Sequence, residues 1–450
     1  MAEQFLTQHD QSRLLLVIPR YASAVQYGYI LPLGILYVSA AIKESGVCPV
    51  FTVNLNHQTD DDATVIRNLF AEHRITHVGT TGISGQFSDV YPLLRLVKSL
   101  NPSVRTIVGG GIITGDPLPA MQAFNGLADY GVVGEGEVTI VRLMQALSSG
   151  ADLCQVEGLV YADNGHWVLT PRCPDISDLD ALPLPDYEGF DYARYLATNG
   201  EVCNGVRYSP VAIVGGRSCK YNCTFCFHPT GSHYRQRSLD SIFAEIDYLV
   251  SHYAVNYIAL REELFASDAR RVIDFCSRIR SYPLTWSIQL RVDCVTASVV
   301  SALAASGCRY VFLGIESADD EILRSMRKHI TIKQVEEALE LTARAGLATR
   351  SSLILGDAIE SEESARRTLQ WWHAYRHRFA IDLGLIIAFP GSALYQQARR
   401  NGRIPDPVQF LRDGCPVINL STRMSDEAYS RLAVEVSRCS GISFHPHSYV

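Results

Sequence analysis

The chain has 450 residues, 47% of them apolar and 19% charged, the balance of a globular protein long enough for two or three domains. A formal net charge of −7 with no basic block argues against nucleic acid as a partner, and no run of eighteen apolar residues offers a membrane span. Twelve cysteines without tight pairing, behind an N-terminus Met1-Ala2-Glu3-Gln4-Phe5 that lacks the basic-then-apolar signal pattern, predict a reducing, cytoplasmic setting.

Residues 1–150 alternate short apolar runs with amphipathic stretches, the pattern of a parallel α/β sheet. Strands are predicted at Arg13–Pro19, Pro49–Asn54, His77–Gly82, Thr106–Gly109 and Asp129–Val133. Helices are predicted at Leu33–Ser45, closed by Gly46, near Asp60–Glu72 and Asp89–Leu100, and from Gly134-Glu135-Gly136-Glu137 to about Gly150. Open sheets of this kind bind ligands beyond the C-terminal ends of their strands. Gly109-Gly110-Gly111 and Gly134-Glu135-Gly136 fall at such ends, where glycine lets a bulky ligand approach the backbone.

Three segments, Pro32-Leu33-Gly34-Ile35-Leu36-Tyr37, Val108–Gly111 and Val133–Glu137, resemble a cobalamin-binding domain. The resemblance implies a doubly wound, Rossmann-like fold for residues 1–150 and cobalamin held near Gly109, Gly110, Gly134, Glu135 and Gly136. The Asp-x-His-x-x-Gly loop that gives cobalt a lower histidine ligand in one type of cobalamin domain is absent, and His57 has the wrong surroundings for that role. The alternative is a domain kept for packing or substrate access, with cobalamin lost.

Residues 151–205 read as a connector. Gly158–Ala162 and Trp167–Leu169 suggest a hairpin across Asp163-Asn164-Gly165, and Leu182-Pro183-Leu184-Pro185-Asp186-Tyr187 is a stiff strap, since each proline fixes its own backbone angle.

From Pro210 to about Arg400 strands and helices alternate again. The strands are Pro210–Val214 (its core Val211–Val214), Tyr257–Leu260, Thr285–Leu290, Tyr310–Ile315, Arg350–Leu355 and Leu383–Ala388. Six βα units fit a partial (β/α)6 barrel, in which chemistry sits at the C-terminal strand ends. After the first strand comes Gly216-Arg217-Ser218-Cys219-Lys220-Tyr221-Asn222-Cys223-Thr224-Phe225-Cys226-Phe227-His228, a Cys-x3-Cys-x2-Cys loop. Cys219, Cys223 and Cys226 supply three thiolates to an iron–sulfur cluster and leave one iron without a protein ligand. A ferredoxin-type site closes all its irons; an open iron leaves a position for a substrate or cofactor. Structural zinc wants four ligands in close pairs, and only His228 is near. A disulfide reading fails on parity, and a polar loop does not suit three buried, unligated cysteines. Cys48, Cys154, Cys173, Cys276, Cys294 and Cys308 read as scattered packing residues, and Cys415 and Cys439 are too few for a second cluster.

This loop, with Phe225 just before the third cysteine, resembles the radical S-adenosylmethionine (SAM) superfamily, in which SAM's amino and carboxylate groups occupy the open iron. The resemblance implies a [4Fe–4S] cluster bound by Cys219, Cys223 and Cys226, contact of Phe225 with the cofactors, and an external electron donor of the flavodoxin or ferredoxin type. It places the catalytic core at 206–400, ahead of a short helical tail at 401–450. Relatives carry an acidic pair where Glu262-Glu263 stands, suited to SAM's amino group. They carry Arg-x-Asp where Arg291-Val292-Asp293 stands, with Arg291 for SAM's carboxylate and Asp293 for a ribose hydroxyl or for orienting Arg291. Glu316, in Gly314-Ile315-Glu316-Ser317, is a ligand for SAM ribose or substrate, or else bonds a loop amide; the run Asp320–Lys328 behind it is the closest extended match. His228, Tyr234 and Arg235 are placed near SAM or substrate by position. Gly356-Asp357-Ala358-Ile359-Glu360 departs from the relatives' Gly-x-Pro-Gly-Glu, whereas Phe389-Pro390-Gly391-Ser392-Ala393-Leu394-Tyr395 follows theirs as a turn and packing element.

The implied chemistry is reductive cleavage of SAM to a 5′-deoxyadenosyl radical, which takes hydrogen from an unactivated carbon of a small-molecule, secondary-metabolite type substrate. Two outcomes stay open at this level: cobalamin-dependent C-methylation, or a radical elimination or rearrangement such as 1,2-diol dehydration of an aminoglycoside-type sugar, with the cobalamin-like domain vestigial.

Overall fold

A computed structural model describes residues 12–21, 29–203, 206–208 and 211–442. The segment before residue 12, the predicted strand start at Pro210 and the last eight residues of the predicted tail lie outside the described residues. The chain divides into two compact units. One ends at Ile176 and adds Ala181–Asn199 and Leu411–Gly414; the other comprises Ser177–Asp180, Gly200–Phe410 and the residues from Cys415 onward.

The first unit is built on β1 (Leu14–Ile18), β2 (Val50–Asn54), β3 (His77–Thr81), β4 (Arg105–Gly109), β5 (Tyr130–Val132), β6 (Leu159–Asp163) and β7 (His166–Leu169), in the spatial order β2-β1-β3-β4-β5-β6-β7. The first five run parallel, as the alternation of strands and helices predicts, and follow the 2-1-3-4-5 order of one doubly wound class. β1 is Leu-Leu-Leu-Val-Ile and fully buried, the continuous apolar run of a central strand covered on both faces. The helix Leu33–Ser45 stops where expected, on Gly46 in the left-handed region at φ 63°. The predicted hairpin forms and extends the sheet, β6 pairing antiparallel with β5 and β7 with β6. Its turn residues, Asn164 and Gly165, both have positive φ, the mirror-image turn that matches strand twist. The proline strap is tied to the first helix: Asp186 accepts from Ser39 Oγ at 2.6 Å and pairs with Lys43 at 2.6 Å.

In the second unit, β8 (Glu201–Cys203) pairs with β9 (Val206–Tyr208), and β10 (Val211–Ile213) begins the main sheet. β11 (Gly216–Arg217) and β12 (Arg235–Gln236) form a two-stranded ladder. β13 (Tyr257–Leu260), β14 (Thr285–Arg291), β15 (Cys308–Glu316), β16 (Ala348–Leu355) and β17 (Ala380–Leu385) complete six parallel strands in sequential order from β10, the topology of a partial barrel. The last strand starts three residues before the predicted Leu383, because Ile381, Leu383 and Leu385 alternate inward against the helices while Ala380 already pairs with Arg350. Beyond the sheet lie the helices Pro407–Arg412 and Asp426–Ser440. No helix of the described residues is long and apolar enough to cross a membrane.

Candidate active site

The cysteine loop is tied off at its base by the β11–β12 ladder, where Arg217 pairs with Arg235, and inside by Ser218 Oγ donating to Gly231 O at 2.5 Å. It then docks on a turn after β15. Thr224 N donates to Met326 O at 3.0 Å, Cys223 Sγ lies 3.7 Å from Arg327 O, and Arg291 Nη2 donates to Lys328 O at 2.7 Å. Three consecutive carbonyls are thus spent on the loop and its neighbour. The turn that presents them needs Arg327 and His329 in the left-handed region, at φ 55° and 56°, strain that persists only where surroundings hold it. On the other side Leu394 N donates to Thr224 O at 2.9 Å, and Gly391, at φ 95°, lies flat against the Phe227 ring. The Phe389–Tyr395 segment is therefore the packing element expected of it.

Two cations converge on the loop. Arg291 lies 3.5 Å over the Tyr221 ring, and its Nε donates to Asp293 Oδ1 at 3.0 Å, while Tyr221 OH donates to Asp293 Oδ2 at 3.3 Å. Asp293 thus orients Arg291. Lys328 is buried, pairs with Glu316 at 2.7 Å and stands 6.0 Å from the Phe225 ring centroid. Burial alone would discharge this lysine, but the Glu316 carboxylate outweighs it and holds the ammonium charged. Gly314 leaves room for the pair as it stands, because a Cβ there would stand 2.5 Å from Glu316 Oε1 and 2.8 Å from Lys328 Nζ and displace one or both. Glu316 itself has φ 70°, a strained conformation for a side-chain-bearing residue.

These charges act on the thiols. Cys226 donates to Cys223, and with Lys328 and Arg291 this pulls Cys223 down to about 6 in spite of its burial, while the donor Cys226 is pushed up. Burial raises Cys219. Among the described residues no three His, Cys, Asp or Glu side chains converge as they would round a single ion; cluster ligands bind separate irons and need not do so. A loop of three free thiols beside two buried cations, whose charge favours the thiolate form, fits a [4Fe–4S] cluster.

The predicted acidic pair separates. Glu263 ion-pairs with His228 of the cysteine loop, and that contact raises His228. Glu262 turns the other way, is buried with neither carboxylate oxygen bonded, and packs by Gly215, Ile242 and Phe265 with its charge facing Arg271 and Arg237. Tyr234 is tied to Phe265 O at 3.1 Å and Arg235 to Thr230 O at 2.6 Å. In the departing loop after β16, Asp357 accepts from Ser325 Oγ at 2.6 Å, and Glu360 bonds Ser364. Of the cysteines read as packing residues, Cys154 is exposed, its Sγ donating to Asp152 at 2.8 Å; the others are buried.

In the first unit the glycines divide by geometry. At Gly110, φ 85°, a Cβ would stand 2.5 Å from Thr81 Oγ1 and 2.8 Å from Gly82 O, so this glycine lets the turns after β3 and β4 pack. Gly109 ends β4, and Gly136 opens its helix 3.0 Å from Val38 Cγ2, measured from where a Cβ would be. Glu135 accepts from Ile176 N at 2.6 Å. At Gly134, φ 83°, a Cβ would meet nothing closer than Arg172 Nε at 3.7 Å. That open, left-handed position at a strand end fits a bulky ligand such as cobalamin. His57 is buried and engaged, with Tyr29 OH 2.8 Å and Asn54 Nδ2 3.3 Å from its Nε2.

Sequence reasoning passed over Lys328, which closes the run Asp320–Lys328, and Tyr221 inside the loop itself. An otherwise unexplained lysine ending that run was the available signal.

Residues 213–371 match the Radical SAM superfamily, and residues 20–144 match the B12 binding domain. Over 399 residues the chain is 28% identical to an uncharacterized methyltransferase of Pyrococcus horikoshii, covering 86% of this chain and 83% of that one. It is 27% identical over 403 residues to the anaerobic magnesium-protoporphyrin IX monomethyl ester cyclase of Rubrivivax gelatinosus, covering 86% and 70%. The solved structure of the radical SAM methyltransferase TsrM from Kitasatospora setae, with cobalamin and a [4Fe–4S] cluster bound, aligns with a TM-score of 0.71 at 19% identity, covering 88% of this chain and 79% of that one, a likeness of fold. The chain carries a Radical SAM superfamily domain over residues 213–371, preceded by a B12 binding domain over residues 20–144. It is an enzyme, and its cofactors are a [4Fe–4S] cluster, SAM and cobalamin.

Proposed function

We propose that the enzyme methylates an unactivated carbon of a small-molecule substrate of the secondary-metabolite type, in the cytoplasm, with electrons from a flavodoxin or ferredoxin. The observation that carries this reading is the presence in one chain of a cysteine loop charged by Lys328 and Arg291 and of a B12-type sheet with an open glycine at Gly134. When bound, the cluster and SAM supply a carbon radical and cobalamin a methyl group.

The protein's own residues hold and orient these groups. Cys219, Cys223 and Cys226 take three irons. Glu263, half-exposed and steadied by His228, accepts from SAM's ammonium, while buried Glu262 balances Arg271 and Arg237. Arg291, fixed by Asp293 and Tyr221, faces a carboxylate. The Lys328–Glu316 pair and Phe225 wall the loop from water. Gly109, Gly110, Gly134, Glu135 and Gly136 shape the strand ends toward cobalamin.

Anaerobic purification with cobalamin supplied tests this. A corrin absorbance beside the iron–sulfur absorbance is expected, with one methylated product, one S-adenosylhomocysteine and one 5′-deoxyadenosine per turnover. Protein that neither retains nor responds to cobalamin sinks the proposal. The diol-dehydration alternative with a vestigial domain is not favoured, given the B12 binding match over residues 20–144 and a methyltransferase among the relatives.

A further inference from the structure

The six-stranded sheet has one face under its helices and one face away from them. Thr349 donates to Thr342 of the helix Ile332–Arg344, which marks the covered face; its neighbour Arg350 points to the other. On that helix-free face one rung is unlike the rest. Leu260 pairs with Ile288, so Arg261 comes level with Gln289; Gln289 pairs with Phe312, and Phe312 with Arg350. The guanidinium carbons of Arg261 and Arg350 lie 4.6 Å and 5.6 Å from the centroid of the Phe312 ring, approaching it from strands on either side. Tyr310 packs edge-on against the same ring at 5.2 Å.

This rung carries two cations against a single, distant acid. Among the described residues no carboxylate pairs with Arg261, and the nearest to Arg350 is Asp382, 3.9 Å away and itself 70% exposed. Like charges gathered on one ring repel, and a bound anion removes that cost. Guanidinium groups present paired N–H donors that match the oxygens of phosphate and carboxylate, and the exposed Gln289 amide adds further donors beside them. A solvated rim would spread its arginines outward; these two converge on an aromatic floor inside a partial barrel.

We infer that Arg261, Gln289, Phe312 and Arg350 form a recognition site for an anionic oxygen group, phosphoryl or carboxylate, on the substrate. The inference rests on the proposed function only in taking the occupant to be its substrate. The next rung toward the C-terminal ends holds Arg291, Gly314, Ser352 and Asp382, and Arg291 touches the cysteine loop. Two residues of strand separate the rungs, about 7 Å, so the anionic group anchors one end of the substrate while its reacting carbon lies some bonds away.

The test is calorimetric titration of the anaerobically reconstituted full-length enzyme at fixed ionic strength, with pyrophosphate in one arm and citrate in the other. Saturable binding of at least one probe is expected, and the tighter one names the group. Arg261→Gln and Arg350→Gln each weaken it at least tenfold, and Arg344→Gln, an exposed arginine on an outer helix, leaves it unchanged. Where a glutamine variant loses its iron–sulfur absorbance, Arg350→Lys and Arg261→Lys, which keep the charge and lose the fork, replace it and show a smaller but clear loss. No saturable binding, equal loss in Arg344→Gln, or unchanged binding in the Arg261 and Arg350 variants overturns the inference. Neither corrin nor S-adenosylhomocysteine is read, so failure of the methyl-transfer proposal remains distinguishable.

Discussion

Replacing Lys328 by Met separates the electrostatic role of this residue from its bulk. The ammonium and the Glu316 carboxylate are each about nine-tenths buried and 2.7 Å apart. Removing one partner of such a pair leaves a charge without compensation and costs about 3–5 kcal/mol, whereas replacing both by neutral groups of similar size is often close to neutral. For a unit of this size that loss lowers the melting temperature on the order of 10 °C. Lys328→Met is therefore expected to destabilise strongly, as is Glu316→Gln to a lesser degree, and the double variant to recover most of the loss. Thermal melts of the four proteins, followed by circular dichroism under anaerobic conditions, complete the cycle. The same Lys328→Met change removes a positive charge beside Cys223, so the cluster of the reconstituted variant should reduce at a lower potential. Additive single effects, or an unchanged potential, would refute the electrostatic reasoning and leave Lys328 as packing alone.

Gly391→Ala should cut the iron incorporated per chain on reconstitution, because its Cβ would overlap the Phe227 ring next to Cys226 and its φ of 95° disfavours any side chain; full iron content would show that the loop does not depend on this contact. Burial raises Glu262 from 4.5 to about 7, so the folded state is most stable below the unfolded pKa and loses about 3 kcal/mol as pH climbs through 7. Glu262→Gln should flatten the fall in melting temperature between pH 5 and pH 8, though part of the slope remains because Glu360 is also raised to about 7 by burial; an unaltered slope would contradict the assignment. Cys223→Ala is expected to abolish cluster assembly and all SAM cleavage, measured as 5′-deoxyadenosine, and activity surviving in it would overturn the central reading.

Much of the fold was legible along the chain because its signals are local. Apolar runs of strand length, the stop at Gly46, the Asn164-Gly165 turn and the Cys-x3-Cys-x2-Cys spacing each depend on residues a few positions apart. The acidic pair shows where that legibility ends. Glu262 and Glu263 are equivalent in sequence, yet adjacent residues at a strand end point to opposite faces, and only Glu263 reaches the cysteine loop. Asp293 had two roles open to it; the fold brings its carboxylate onto Arg291 and Tyr221, a contact that spacing alone does not specify.

By itself the sequence determined the domain types, the order of their strands along the chain and the three thiols, since each is written in contiguous residues. Tertiary structure alone decided what charges those thiols and what lines the barrel. Lys328 reaches Cys223 from more than a hundred residues away, and Gln289, Phe312 and Arg350 come from three strands while Arg261 follows the end of a fourth. Only the parallel register of β13 to β16 puts them on one rung, because pairing across a sheet is fixed by long-range packing that no local pattern records.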